Sequence, residues 1–132
     1  MAITIKTEEQ IEKMRAAGKI LVDLDGVLRE LIKPGVTTKE LDSVAEKFIR
    51  DRGAIPSFKG YGGFPGSICT SVNEEIVHGI PSKRRLKEGD IISIDMGSII
   101  YGFNGNCAGT YGVGHISPED QKLIHVTKQG FF

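Results

Sequence analysis

The spacing of apolar positions changes period near residue 53. Before it, Ile11, Met14, Gly18, Leu21, Leu24, Leu28 and Leu31 recur at steps of three and four. That spacing predicts one long helix with a single apolar stripe. Thr7-Glu8-Glu9-Gln10 precedes the stripe and has the form of a capping box, with Thr as N-cap and Gln at N3. Lys33-Pro34-Gly35 ends the helix. A second capping box, Thr37 to Glu40, opens a shorter helix whose apolar side carries Leu41, Val44, Ala45, Phe48 and Ile49. Gly53 falls where a left-handed residue would close that helix.

Beyond Gly53 the chain reads as strands and loops. Ala54 to Phe58 predicts a short strand and Ser67 to Val72 another. Between them, Lys59 to Gly66 (KGYGGFPG) holds four glycines, one proline and two aromatics, and is a loop. Asn73 to Pro81 is a turn followed by a short extended piece. Ser82 to Gly89 is a basic loop that faces water. Asp90 to Gly114 reads as two strands joined at Tyr101-Gly102. Ser117 as N-cap and Pro118 at N1 start a last helix. That helix reaches Phe132 without a capping signal, which reads as a truncation. The order is two helices, four grouped strands and a helix. It predicts an α+β fold over 1–132 as a single domain, an antiparallel sheet with helices packed on one face.

With Tyr101 and Gly102 as the hairpin loop, Gly97 faces Asn106 and Asp95 faces Ala108. Side chains two apart share a face, so Asp95 and Asn106 become diagonal neighbours. Gly97, Gly105 and Gly109 are expected to leave open space beside them. Two aspartates here would suggest a hard divalent ion. Asn offers only a neutral amide oxygen and no charge. Two readings stay open on spacing alone: a weakened metal-ligating pair, or a hydrogen-bonded carboxylate beside a turn-proximal amide.

Composition narrows the classes. Seventeen basic and 17 acidic residues give zero formal net charge. That gives no electrostatic case for nucleic acid or an anionic membrane, and it removes a barrier to self-association. Cys69 and Cys107 are too few for a disulfide scaffold and lack CxxC spacing, which fits reduced thiols in a cytoplasmic protein. MAITIKTEEQ lacks the apolar core of a signal peptide, and no run approaches the ~20 apolar residues of a membrane span.

NEEIVHGIP (73–81), LKEGDIISIDMG (86–97) and GFNGNCAGTYGVG (102–114) together resemble type I methionine aminopeptidases. GYGGFPGSIC (60–69) and the two opening helices fit the same family. The resemblance covers essentially the whole chain and places it as the N-terminal half. It implies half of a pita-bread fold, and removal of N-terminal methionine from nascent proteins with one or two divalent metals (Mn, Fe, Co or Zn). His78 matches the histidine that hydrogen-bonds substrate near the scissile amide. Asp95 matches the first metal-binding aspartate, and Asn106 stands where the family has its metal-bridging aspartate. Tyr61, Phe64 and Cys69 match positions that line the methionine pocket, an apolar and polarizable cup suited to a thioether. The remaining ligands, one His and two Glu, come from the family's second half. Gly114-His115 is not the histidine motif of that half, and His125 has no counterpart. Tyr101 stands where the family often has Asp or Asn, a poorer fit to a type I′ turn.

Three expectations follow. The first is a methionyl aminopeptidase half with negligible activity and weak metal binding alone. Its partners would be N-terminal methionyl peptides and a missing C-terminal half. The second is an engineered or ancestral-like half-fold that self-associates as a non-catalytic homodimer. It would bring two copies of Asp95 and His78 around one cleft. The third is a non-enzymatic module that binds peptides or partners without cutting them.

Overall fold

A computed structural model describes residues 3–132; Met1 and Ala2, the first residues of the stretch read for a leader, lie outside them. The first helix, α1 (Glu8–Leu31), begins at the expected cap. The Thr7 hydroxyl accepts the Gln10 N–H at 3.3 Å, and the Thr7 N–H donates to the Gln10 side-chain oxygen at 2.9 Å. Burial is confined to the middle of the helix, at Ala17, Ile20, Leu21, Leu24 and Leu28. Met14 and Leu31, expected on the stripe, stay 39% and 38% exposed near its two ends.

Helix α2 (Thr38–Asp51) is capped in the same way, with the Thr37 N–H on the Glu40 carboxylate at 2.7 Å. At its far end Gly53 has φ 72°. The Gly53 N–H donates to the Arg50 carbonyl at 2.9 Å and the Ala54 N–H to the Ile49 carbonyl at 3.2 Å. These are the two bonds of a Schellman motif, which turns the chain directly into the sheet.

The sheet is antiparallel throughout: β1 (Ile55–Pro56), β2 (Ile68–Val72), β3 (Ile91–Ile100) and β4 (Phe103–Gly112). Strand β3 is central. Strand β4 pairs along its whole length on one side, while β1 and β2 sit end to end on the other. The hairpin register is as expected, with Gly97 opposite Asn106 and Asp95 opposite Ala108. Tyr101 and Gly102 take φ 54° and 78°, the two left-handed positions of a type I′ turn. Strand β1 is shorter than expected, because Ser57 and Phe58 turn to cover Gly97.

Helices α1 and α2 pack on one face of the sheet. Leu21, Leu24 and Leu28 meet Leu41, Ala45, Ile49, Ile68, Val72, Ile92, Ile94 and Met96 in one core. The approach of α1 is close: a Cβ at Gly105 would lie 2.6 Å from the Gly18 nitrogen. Two polar ties fix the layers. The Ser98 hydroxyl donates to the Ala17 carbonyl at 3.0 Å. The buried Asp42 accepts the Ser67 N–H at 2.6 Å and the Ile68 N–H at 3.3 Å, and pairs with Lys39 at 2.8 Å. Helix α3 (Pro118–Phe131) starts at Ser117 as expected but buries none of its residues. The packing of helices on one face therefore belongs to α1 and α2.

Candidate functional site

Alternation along β3 sends Ile92, Ile94 and Met96 into the core, so Ser93, Asp95 and Gly97 point to the other face. Neither α1 nor α2 covers that face. Register then builds two rows across three strands. Cys69, Asp95 and Ala108 form one row; Ser71, Ser93 and Thr110 form the next. The Ser93 and Thr110 hydroxyls are 2.7 Å apart. Asn106, diagonal to Asp95, donates its amide N–H to the Asp95 carboxylate at 2.8 Å. The pair expected from the hairpin is thus a made hydrogen bond between a half-buried carboxylate and an exposed amide.

The open space expected around this pair is absent. Gly105 and Gly109 belong to the opposite face, where they admit α1 and the Tyr111 ring. Gly97 does lie beside Asn106, but a Cβ there would be 2.8 Å from both the Phe58 ring and the Ser57 side chain. Ser57 also donates its N–H to the Gly97 carbonyl at 3.0 Å and its hydroxyl to the Asn104 amide oxygen at 3.0 Å. Phe58 and Ser57 therefore border the site, although from the sequence they were expected only as part of a strand. Their only signal was Gly97, the position where a side chain is missing.

Cys69 sits directly across from Asp95 and is 5% exposed. Burial, and then the Asp95 charge, push its thiol up to about 11. Its side chain is a buried, weakly polar neighbour of the carboxylate.

The His78 segment is held at both ends. Asn73 accepts the Ile91 N–H at 3.0 Å, and Glu75 accepts the Val72 N–H at 2.9 Å. At the other end the Thr70 N–H donates to the Gly79 carbonyl at 2.8 Å, and the Gly79 N–H donates to the Ser71 hydroxyl at 3.0 Å. A Cβ on Gly79 would overlap the Thr70 carbonyl, so glycine is required for this approach. His78 follows at φ 60°, a strained conformation for a residue with a side chain, and is exposed. The segment runs along the free edge of β2, at the rim of the uncovered face.

Tyr61 and Phe64 lie in the loop between β1 and β2. Bonds from the Gly60 N–H to the Phe64 carbonyl (2.8 Å) and from the Phe64 N–H to the Tyr61 carbonyl (3.0 Å) close it. Lys59 ties it to Glu46 of α2 at 2.5 Å, and this bond holds the Glu46 carboxyl below its ordinary value. Tyr61 is 83% exposed, while Phe64 is half-buried. The structure therefore brings Cys69, Asp95 and Asn106 together. Tyr61, Phe64 and His78 stand on two bordering loops, without hydrogen bonds to that trio.

The donor set is a poor match for a divalent ion. It offers one carboxylate, one amide that presents its N–H, and one buried sulfur, a soft atom where a hard ion takes oxygen. Among the described residues no three His, Cys, Asp or Glu groups come together to hold a metal. The residues present do not fit the group.

Comparison with known proteins agrees with this frame. Residues 12–131 match the model of metallopeptidase family M24. The chain is 59% identical over 131 residues to methionine aminopeptidase of Clostridium acetobutylicum, covering 98% of this chain and 52% of that protein. It is 55% identical over 130 residues to methionine aminopeptidase 1 of Bacillus subtilis, again covering 98% and 52%. A crystal structure of methionine aminopeptidase from Rickettsia prowazekii superposes with a TM-score of 0.95 at 41% identity, over 97% of this chain and 52% of that one. The chain belongs to metallopeptidase family M24. Its structural neighbours are pita-bread methionine aminopeptidases, and the α+β arrangement is a half of that fold. It spans about half the length of the curated relatives it matches.

Proposed function

We propose that this chain supplies one wall of an N-terminal methionyl aminopeptidase, acting as one domain over 1–132. The observation that carries the reading is the group on the sheet face away from the helices, with Cys69 directly across from Asp95 and Asn106 diagonal to it. Asp95 is the metal-facing carboxylate. His78, held at the rim by Gly79, binds the substrate near its scissile amide. Cys69, Tyr61 and Phe64 form the cup for the methionine side chain, with the loop of Tyr61 and Phe64 tethered by Lys59 and Glu46. A complete site would need a divalent metal (Mn, Fe, Co or Zn) to activate water, with further His and Glu ligands supplied by a second half. N-terminal methionyl peptides are the substrates. Location is cytoplasmic: the two thiols are free, and no helix of the described residues is long and apolar enough to cross a membrane.

The polypeptide alone is expected not to turn over. Incubated with a Met-Ala-Ser peptide and Mn²⁺ or Co²⁺, it releases no methionine above the metal blank. Asn106→Asp, mixed with a polypeptide supplying the other half of the Clostridium acetobutylicum relative, releases methionine. Release by the unaltered chain alone, or none from the complemented variant, overturns the reading.

One observation favours self-association as a second reading. The outer edge of β4 is unpaired among the described residues, and its ten residues (FNGNCAGTYG) carry no charge and no proline. Such an edge lacks the usual devices against strand pairing. A second copy could add its own β4 antiparallel about a two-fold axis, giving a non-catalytic homodimer.

A further inference from the structure

The misfit between the donor set and a divalent ion has a definite chemical cause. Asn106 presents its N–H to Asp95 at 2.8 Å, within the range of a charge-assisted hydrogen bond. The opposite orientation would set the amide oxygen against the carboxylate, two acceptors facing each other with no proton between them. A cation shared by Asp95 and Asn106 needs that opposite orientation, because of the amide's two ends only the oxygen can coordinate. Holding an ion between the two side chains therefore requires the amide to rotate by half a turn and the bond to Asp95 to break. Nothing nearby compensates. Cys69 across the row is buried and offers no oxygen, Ala108 completes the row without a donor, and the Ser93 and Thr110 hydroxyls bond each other.

We infer that Asn106 is a built-in substitute for a bound cation: its N–H holds the Asp95 carboxylate and closes this hairpin to divalent metal. The inference rests on the reading that the Asp95 face is the metal face. It goes beyond that reading by assigning Asn106 a blocking rather than a weakly ligating role. Asn106 can do this without disturbing the fold. It is exposed, sits in register opposite Gly97, and its backbone takes part in an unbroken β3–β4 pairing.

The test is Mn²⁺ titration of the isotope-labelled chain, read by paramagnetic broadening of assigned backbone amides, with no substrate and no second half. In the unaltered protein, millimolar Mn²⁺ broadens the amides of Cys69, Asp95 and Asn106 no more than those of exposed acidic residues elsewhere. In Asn106→Asp, the same three amides broaden selectively, at a Mn²⁺ concentration roughly ten-fold lower or less, since a second carboxylate replaces a donor. Equal broadening of these amides in both proteins, at any level, overturns the inference.

A second measurement uses the unaltered chain alone, so it stands even where the variant fails to fold. The two side-chain amide protons of Asn106 are expected as separate signals, one shifted by its bond to the carboxylate and neither moved by Mn²⁺. Signals like those of a free asparagine, or signals erased selectively by sub-millimolar Mn²⁺, refute it. Neither readout depends on methionine release, so a failed peptidase assay and a failed metal assay are distinguishable.

Discussion

Burial and charge at single side chains give the chain a definite response to alkali. The Cys69 thiol is pushed up to about 11, by burial first and then by Asp95. The Tyr111 hydroxyl is pushed up to about 12, by burial first and then by its bond to Asp25, which also pairs with Arg29 at 3.0 Å. Both groups hold their proton more tightly when folded. Their contribution to stability is complete below the ordinary values of 9.0 and 10.0 and is lost as pH rises through the folded values. The urea midpoint is therefore expected to fall between about pH 8 and about pH 10.5, with iodoacetamide reacting slowly at Cys69 at the lower pH. A flat midpoint across that interval contradicts the assignment. Much at this scale was legible in the sequence. A two-residue hairpin loop fixes register, and register alone paired Asp95 with Asn106. The same parity already placed Gly105 and Gly109 on the other face; they were misread because an absent side chain looks like space. Packing fills that space from distant segments, with α1 at Gly105 and Phe58 at Gly97.

Elements were legible where their signals are local. Both capping boxes, the Ser117 cap and the left-handed Gly53 involve residues within a few positions of each other, so short-range chemistry decides them. What holds one element to another was not legible. Asp42 sits on the buried side of α2, yet its carboxylate accepts two N–H groups at the start of β2, 25 and 26 residues away. Replacing it removes the acceptor and leaves the Ser67 N–H buried without a partner. Asp42→Ala is expected to cost about 1–3 kcal/mol in equilibrium urea unfolding. Asp42→Asn, which keeps one acceptor oxygen, is expected to recover part of that. Equal stability of all three proteins would show that the tie contributes nothing. The length of β1 was misjudged for a related reason. Ser57 and Phe58 have strand-like neighbours, but regular pairing ends at Pro56: Ser57 keeps one bond to Gly97 of β3, and both side chains close over that glycine.

For the whole molecule, the α+β class followed from element order, whereas the sharing of one β3 edge by β1 and β2 did not. That arrangement joins β3 to segments 20 to 44 residues away, and no local pattern encodes it. The bare outer edge of β4 carries the prediction that belongs to this scale. Light scattering at high concentration is expected to give the mass of a dimer. Thr110→Lys, which sets a charge on that edge, is expected to return a monomer. A monomer in both cases removes the homodimer reading. The placement of α1 has a further consequence, in the order of synthesis. The helix is made before the sheet, yet its apolar side packs on β3 and on β4, whose last residue is Gly112. At ordinary rates of translation, about 4–16 s pass between completion of the helix and arrival of the strand that covers it. During that interval Leu21, Leu24 and Leu28 have no sheet to meet. The nascent chain exposes that apolar side to chaperones and to aggregation until the β3–β4 hairpin has left the ribosome.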